Sequence, residues 1–122
     1  MPLVRPLAVL LAAAVIGGCG GSEPATQARD GRVEIELDDF LLRPQNVRAD
    51  AGRVTFAVTN AGRLGHNLRL RGGSEGEHVL TKTLLPGRGA TKTVRLAPGA
   101  YTMLCTVANH EQLGMTGRLV VR

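Results

Sequence analysis

The chain has 122 residues, enough for one domain, and 43% of them are apolar, which is enough for a hydrophobic core. The formal net charge is +5, but the basic residues are scattered without a continuous run, and the aromatic side chains are limited to Phe40, Phe56 and Tyr101. Nucleic-acid-binding surfaces combine a basic patch with aromatic platforms, so the composition argues against that class.

Residues 1–18 are typical of an export signal. A single positive charge, Arg5, precedes an apolar run over residues 7–18. A run of about twelve residues is too short to cross a membrane and fits the hydrophobic region of a signal peptide. It ends in Ile16-Gly17-Gly18-Cys19, which resembles a bacterial lipobox. That resemblance implies cleavage before Cys19 and lipidation of its sulfur; an ordinary signal peptide and a retained anchor are the alternatives.

The next segment has no hydrophobic period and contains many small and polar residues, which indicates a flexible tether. The predicted organisation is therefore a signal peptide over 1–18, a lipidated Cys19 with its tether over 19–31, and one domain over 32–122. Two cysteines in an exported protein would otherwise suggest a disulfide. If Cys19 carries lipid, Cys105 is a lone thiol in an oxidising compartment, and a metal would explain it.

Short runs with a period of two follow along the rest of the chain, separated by Gly, Pro and Asn. In the first run, apolar side chains at Val33, Ile35 and Leu37 alternate with glutamates. The predicted strands cover Val33–Leu37, Val54–Thr59, Leu68–Arg71, Val79–Leu84, Thr91–Leu96, Tyr101–Cys105 and Arg118–Val121. This spacing favours an all-β fold, a Greek-key β-sandwich of about seven to eight strands.

The chemistry is concentrated in Cys105-x4-His110-x4-Met115 and in His66 upstream. Taken singly, a Cys or Met is most often a packing residue, and a His is more often a surface or core residue than a ligand. Taken together, Cys105 ends a strand and Met115 precedes the last one, so their loop can fold back on itself. His66 follows a turn and is expected to approach from the other sheet at the same end.

One thiolate, two imidazoles and one thioether form the donor set that selects copper, as a trigonal His2Cys site with a weak axial Met. Zinc bound by the same residues is the weaker alternative, because Met is a poor zinc ligand.

At this point the chain resembles the cupredoxins, the small blue copper proteins of the azurin, plastocyanin and auracyanin type. The resemblance covers residues 33–122. It is carried by Phe40-x3-Pro44, by Ala51-Gly52-x-Val54-x-Phe56-x-Val58-x-Asn60-x-Gly62-x3-His66-Asn67, and by Pro98-Gly99-x-Tyr101-x3-Cys105-x4-His110-x3-Gly114-Met115-x-Gly117-x-Leu119-x-Val121.

The resemblance implies a role for each matching position. His66, Cys105 and His110 would form the equatorial set around one copper ion that alternates between Cu(I) and Cu(II). Met115 would be the axial ligand, and the Gly65 carbonyl would approach weakly from the opposite side.

Residues beside the ligands also match the family. Asn67 and Thr106 would hydrogen-bond across the two ligand loops, and an amide would donate to the thiolate; ordinary polar loop residues are the alternative. The chain departs from the family where many relatives have Pro-Gly before the second histidine. Here Ala108-Asn109 stands, and Asn is expected to tolerate the left-handed turn.

The predicted function is electron transfer rather than catalysis, because side chains fill every coordination position and none is left for a substrate. Electrons are expected to pass through His110 to a transient redox partner such as a cytochrome, oxidase or reductase. Leu64, Ala108 and Leu113 are expected to form an apolar docking collar around it.

The lipid on Cys19 would hold the domain, expected to be a monomer, on the extracytoplasmic side of a bacterial membrane. Two other functions stay open at this point. The first is a copper-binding protein for storage, delivery or oxidase assembly, and the second is a structural or adhesive lipoprotein domain without a metal.

Overall fold

In the computed structural model, which describes residues 24–122, ten β-strands form two sheets. The strands are β1 Thr26–Gln27, β2 Arg32–Asp38, β3 Leu41–Arg43, β4 Asn46–Ala49, β5 Gly52–Asn60, β6 Arg69–Gly72, β7 Glu77–Val79, β8 Gly89–Leu96, β9 Gly99–Leu104 and β10 Thr116–Val121. One sheet has six strands in the order β1-β4-β10-β9-β6-β7, and the other has four in the order β3-β2-β5-β8. The predicted all-β sandwich is confirmed, with ten strands rather than seven or eight.

The core lies between the two sheets and follows from the period-two pattern of the strands. In β2 and β5 alternate side chains are buried, so each strand presents one apolar face to the facing sheet. Strands β9 and β10 contribute their buried positions from the six-stranded sheet. Aliphatic side chains dominate this core, and Phe56 is its one buried phenylalanine among the described residues.

The structure differs from the sequence prediction in two segments, one before β2 and one after β6. Part of the segment predicted as a tether is folded: Thr26 and Gln27 pair in parallel with β4, and Arg29 forms a bridge with Arg32. The predicted strand Val79–Leu84 is also different. Only residues 77–79 belong to a strand, and Leu84 forms an isolated bridge with His66.

Three strands of the six-stranded sheet end or begin together at one end of the sandwich. Leu104, the last residue of β9, is paired with Thr116 at the start of β10 and with Arg69 at the start of β6. The residues that follow β9, precede β10 and precede β6 are therefore neighbours in space. These positions carry Cys105, Met115 and the segment that contains His66.

The predicted signal peptide and Cys19 lie outside the described residues. Within residues 24–122 no helix has the length and apolarity needed to cross a membrane.

Candidate metal centre

Three donor side chains from distant parts of the chain converge at this end of the sandwich. The thiol of Cys105 and one ring nitrogen each from His66 and His110 all lie within 4.8 Å of one another. Cys105 Sγ is 3.9 Å from His66 Nδ1 and 3.6 Å from His110 Nδ1, and the two Nδ1 atoms are 3.1 Å apart. His66 and Cys105 are fully buried, and His110 is 6% exposed. The structure thus brings together three of the four residues that the sequence predicted as ligands.

The fourth predicted ligand, Met115, closes the loop that carries Cys105 and His110. Its side chain is fully buried. Its carbonyl accepts a hydrogen bond from the Cys105 N–H at 3.2 Å, and its N–H donates to the His110 carbonyl at 3.1 Å. The loop therefore folds back on itself as expected, and its backbone ties the three positions to one another. The assignment of the thioether as an axial ligand remains a prediction.

His66 is held by a different set of contacts. Its N–H and carbonyl are both hydrogen-bonded to Leu84, at 3.1 and 2.7 Å. The loop before it is fixed by Asn60, whose side-chain amide donates to the carbonyls of Leu64 and Leu84 at 2.8 Å each and accepts from the Gly62 N–H at 2.9 Å. Asn60 is fully buried, so these bonds are shielded from water. The result is a rigid backbone on both sides of the histidine.

The four-stranded sheet contributes differently from what the sequence suggested. His66 was expected to approach from the opposite sheet, but it leads into β6, which belongs to the same sheet as β9 and β10. The physical reason is that the β5–β6 connection crosses from one sheet to the other before it reaches the histidine. The four-stranded sheet instead supplies Asp39, from the turn between β2 and β3.

Sequence reasoning missed Asp39, which lies directly behind the site. Its Oδ1 is 2.5 Å from His66 Nε2, the ring nitrogen on the far side from Cys105. Hydrogen bonds from the Arg63 N–H and from His66 hold the pKa of Asp39 below its usual value, so the carboxyl is ionised at neutral pH. Only the adjacent acids in Asp38-Asp39-Phe40 marked this turn in the sequence, and nothing there linked them to a histidine 27 residues away.

Phe40 covers the two imidazoles from the same turn. Its ring centroid lies 4.8 Å from that of His110 and 6.4 Å from that of His66, at tilted and edge-on angles. These are ordinary aromatic packing distances, and the ring is partly buried against the core. Phe40 therefore helps to exclude water from the donors.

Asn67 and Thr106 join the two ligand segments. The Asn67 amide nitrogen donates to the Thr106 hydroxyl at 2.9 Å, and its oxygen accepts from the Thr106 N–H at 2.8 Å. The contact predicted across the loops is present. It fixes the spacing between the residue after His66 and the residue after Cys105.

Where many relatives have Pro-Gly before the second histidine, this chain has Ala108-Asn109, and the residue in the left-handed conformation is not the one that was expected. Ala108, not Asn109, has a positive φ of 44°. A Cβ atom in this region crowds the following carbonyl, so Ala is a poor fit. The turn is nevertheless closed by a hydrogen bond from the His110 N–H to the Val107 carbonyl at 3.0 Å.

The electrostatics keep His110 neutral. Burial is the largest cause that lowers the pKa of His110, and the nearby Asp39 carboxylate opposes this effect only in part. A neutral imidazole has a free ring nitrogen for a metal. Together with a thiol and a second imidazole, it makes a donor set that fits copper by its chemistry, because soft sulfur and imidazole suit that metal.

The three residues that the sequence predicted as a docking collar are all exposed. Leu64 and Leu113 are 46% and 51% exposed, and Ala108 is also exposed. Gly65 precedes His66 and packs against Thr83, where a Cβ atom would lie 3.0 Å from Cγ2. A role for its carbonyl at the metal remains a prediction. The third histidine, His78, lies on β7 and is not part of the donor cluster.

The comparisons with known proteins agree with this geometry. The family model of the copper binding proteins of the plastocyanin/azurin family matches residues 30–122. The chain belongs to this family. The cupredoxin resemblance and the expectation of one copper ion are thereby confirmed. A search of curated protein sequences found no match.

Solved structures show the same cupredoxin fold. Reduced auracyanin from the photosynthetic bacterium Roseiflexus castenholzii superposes with a TM-score of 0.68 at 22% identity, over 81% of this chain and 99% of that one. Auracyanin B gives 0.68 at 22% identity, over 84% and 93%. A multicopper oxidase gives 0.61 at 18% identity, over 75% of this chain and 41% of that one. At these identities the likeness supports the fold alone.

Proposed function

We propose that this cupredoxin is a one-electron carrier with a single type 1 copper site. His66, Cys105 and His110 would be the equatorial ligands, and Met115 the axial one. The observation that carries the proposal is the buried cluster of one thiol and two imidazole nitrogens within 4.8 Å, in a chain of the copper-binding plastocyanin/azurin family. A bound copper ion would supply the Cu(I)/Cu(II) couple.

The protein's own part is to hold the donors still and to keep water out. Cys105 and Met115 are joined by a backbone hydrogen bond, and Asn67 links the His66 segment to Thr106. Little nuclear motion then accompanies a change of oxidation state, which favours fast electron transfer. Four side chains fill the proposed coordination positions and leave none for a substrate, so the site suits a carrier rather than an enzyme.

Burial of the donors also favours a carrier over a storage or delivery protein. A protein that hands over its metal needs ligands that an acceptor can reach. Here His66, Cys105 and Met115 are fully buried and only His110 has some exposure. Slow loss of copper to a chelator, combined with reversible oxidation and reduction, would support the carrier; rapid transfer of Cu(I) to the chelator would support delivery.

We place the docking surface at Leu64, Ala108 and Leu113, with electrons passing through His110. The support is that Leu64 and Leu113 are large exposed apolar side chains on the two segments that carry His66 and His110, and that weak redox encounters bury small apolar areas. Electron self-exchange between two copies of the protein provides a defined test. Leu113→Glu should slow self-exchange about tenfold or more, while Thr91→Glu, on β8 of the other sheet, should leave it nearly unchanged. Equal rates in both variants would reject this surface.

We further propose export and lipid anchoring through Cys19, with a membrane-associated cytochrome, oxidase or reductase as partner. The support is the apolar run over 7–18 and the lipobox-like Ile16-Gly17-Gly18-Cys19. Mass spectrometry of the mature protein should find an acylated N-terminal Cys19, and Cys19→Ala should release the protein from membranes. A mature N-terminus at any other residue would contradict this proposal.

A further inference from the structure

Asp39 is fixed in place on both of its oxygens. Oδ2 accepts a hydrogen bond from the Arg63 N–H at 2.8 Å, and Oδ1 accepts from the Leu64 N–H at 3.3 Å in addition to its contact with His66. The carboxylate therefore cannot rotate freely. It reaches the ligand from a turn in one sheet and is anchored by the loop that leads to the other sheet.

The glycine at position 62 leaves room for this contact. A Cβ atom built on Gly62 would collide with Asp39 Oδ1 and would lie 2.8 Å from His66 Nε2. The Gly62 backbone is thus packed close against the pair, and any side chain at this position would collide with it. The side chain of His66 is fully buried and that of Asp39 is 22% exposed.

The Asp39 carboxylate determines which nitrogen of His66 carries the proton. An ionised carboxylate can only accept hydrogen bonds, so His66 Nε2 must be the protonated nitrogen. His66 Nδ1 is then left with a free lone pair, and this atom faces Cys105 Sγ and His110 Nδ1. A carboxylate behind a ligating histidine also makes the imidazole a more basic donor.

The second imidazole has no such partner among the described residues. The acid next to it in the chain, Glu111, is bound instead to Arg71 at 2.9 Å. The acid next to Asp39, Asp38, is bound to Arg43 at 2.7 Å, and its Oδ1 accepts a hydrogen bond from the Asp39 N–H at 2.9 Å. Of the two ligand histidines, only His66 therefore has a carboxylate bound to its ring among the described residues. Asp38→Asn removes a neighbouring negative charge without touching that contact and so offers a matched control.

We propose that Asp39 is a positioning residue that selects the metal-binding tautomer of His66 and lowers the reduction potential of the site. This rests on the proposed copper function. A negatively charged acceptor behind one imidazole favours the more highly charged metal ion, so Cu(II) gains more than Cu(I). Removal of the charge should lower the ratio of Cu(II) to Cu(I) affinity about tenfold, which for one electron equals a rise in potential of about 59 mV.

The first measurement needs neither copper nor a variant. In the metal-free protein with ¹⁵N-labelled histidine, NMR should show His66 protonated at Nε2 and unprotonated at Nδ1. In Asp39→Leu, which cannot accept the bond, the Nδ1–H form should become populated. A wild-type His66 protonated at Nδ1 alone would overturn the proposal, whatever the variants do.

The second measurement uses the copper-loaded protein. Asp39→Asn keeps the shape and should raise the potential, and Asp38→Asn should leave it unchanged. If the wild type binds copper as a type 1 site and Asp39→Asn matches Asp38→Asn in both potential and tautomer, Asp39 has no such role. If the wild type gives no type 1 spectrum, the proposed function fails instead, so the two failures can be told apart.

Discussion

The two sides of the metal centre are built by different means. His66 is fixed by side chains from other segments: the buried Asn60 holds the loop before it, and the partly buried Asp39 holds its ring from behind. His110 is held mainly by backbone bonds within its own loop, from its N–H to Val107 and from the Met115 N–H to its carbonyl. The comparison indicates a rigid inner ligand and a more accessible outer one, and this division suits a site that must exclude water yet still reach a partner.

The largest expected difference concerns rescue by free imidazole. His66→Gly and His110→Gly should each abolish the native copper spectrum, because an equatorial ligand is lost. Added imidazole should restore an intense visible band in His110→Gly at least tenfold more effectively, since His110 has some exposure and His66 has none. Absorption titrations with imidazole measure this; equal rescue of both variants would contradict the inner and outer assignment.

The inner side should depend strongly on Asn60. Asn60→Ala removes three hydrogen bonds of a fully buried side chain and leaves the Leu64 and Leu84 carbonyls with fewer donors. We expect a loss of about 2–4 kcal/mol in the free energy of unfolding of the metal-free protein, measured with denaturant. Asn109→Ala, at an exposed position on the outer loop, should change it by less than about 0.5 kcal/mol. A loss in Asn109→Ala as large as in Asn60→Ala would remove the contrast.

The contact between Asn67 and Thr106, which links the two sides, should contribute less to the free energy of unfolding than Asn60 does. Asn67→Ala removes both hydrogen bonds to Thr106, but Thr106 is exposed and water can replace part of them. We expect a cost of about 1–2 kcal/mol in denaturant unfolding, with a broader copper resonance in paramagnetic-resonance spectra. Thr106→Ser keeps the hydroxyl and the N–H and serves as the control. Should both variants behave like the wild type, the two ligand segments are not coupled through this contact.

The smallest effect is expected on the outer loop itself. Ala108 has a φ of 44°, a conformation that glycine adopts without strain. Relief of that strain outweighs the extra chain entropy of glycine by a small margin, so Ala108→Gly should stabilise the metal-free protein by up to about 1 kcal/mol. Ala57→Gly, within strand β5, should destabilise it. If Ala108→Gly destabilised the protein as much as Ala57→Gly, the strain assigned to this turn would be absent.

Much of this architecture could be predicted from the sequence, because the strands follow the period-two pattern of Val33, Ile35 and Leu37, and the ligands have a recognisable spacing. The family resemblance also anticipated the bond between Asn67 and Thr106. Local patterns could not show that the β5–β6 connection crosses between the sheets, so the side from which His66 approaches was wrong. Asp39 was missed for the same reason, since its contact with His66 depends on tertiary structure alone.

The strained position in the ligand loop was also misassigned. Residue preferences favour Asn over Ala in a left-handed turn, so the sequence pointed to Asn109. In the structure, the loop is closed by backbone hydrogen bonds, and Ala108 rather than Asn109 has the left-handed conformation. The segment over 26–29 was predicted as tether because its pairing with β4 is only two residues long and leaves no hydrophobic pattern.

The most direct test of the central claim is a visible and paramagnetic-resonance spectrum of the protein loaded with one equivalent of Cu(II). A thiolate bound together with two imidazoles should give an intense blue or green absorption and a small copper hyperfine splitting, and both should vanish in Cys105→Ser. Stoichiometric copper binding with only weak visible bands, unchanged in Cys105→Ser, would contradict the account.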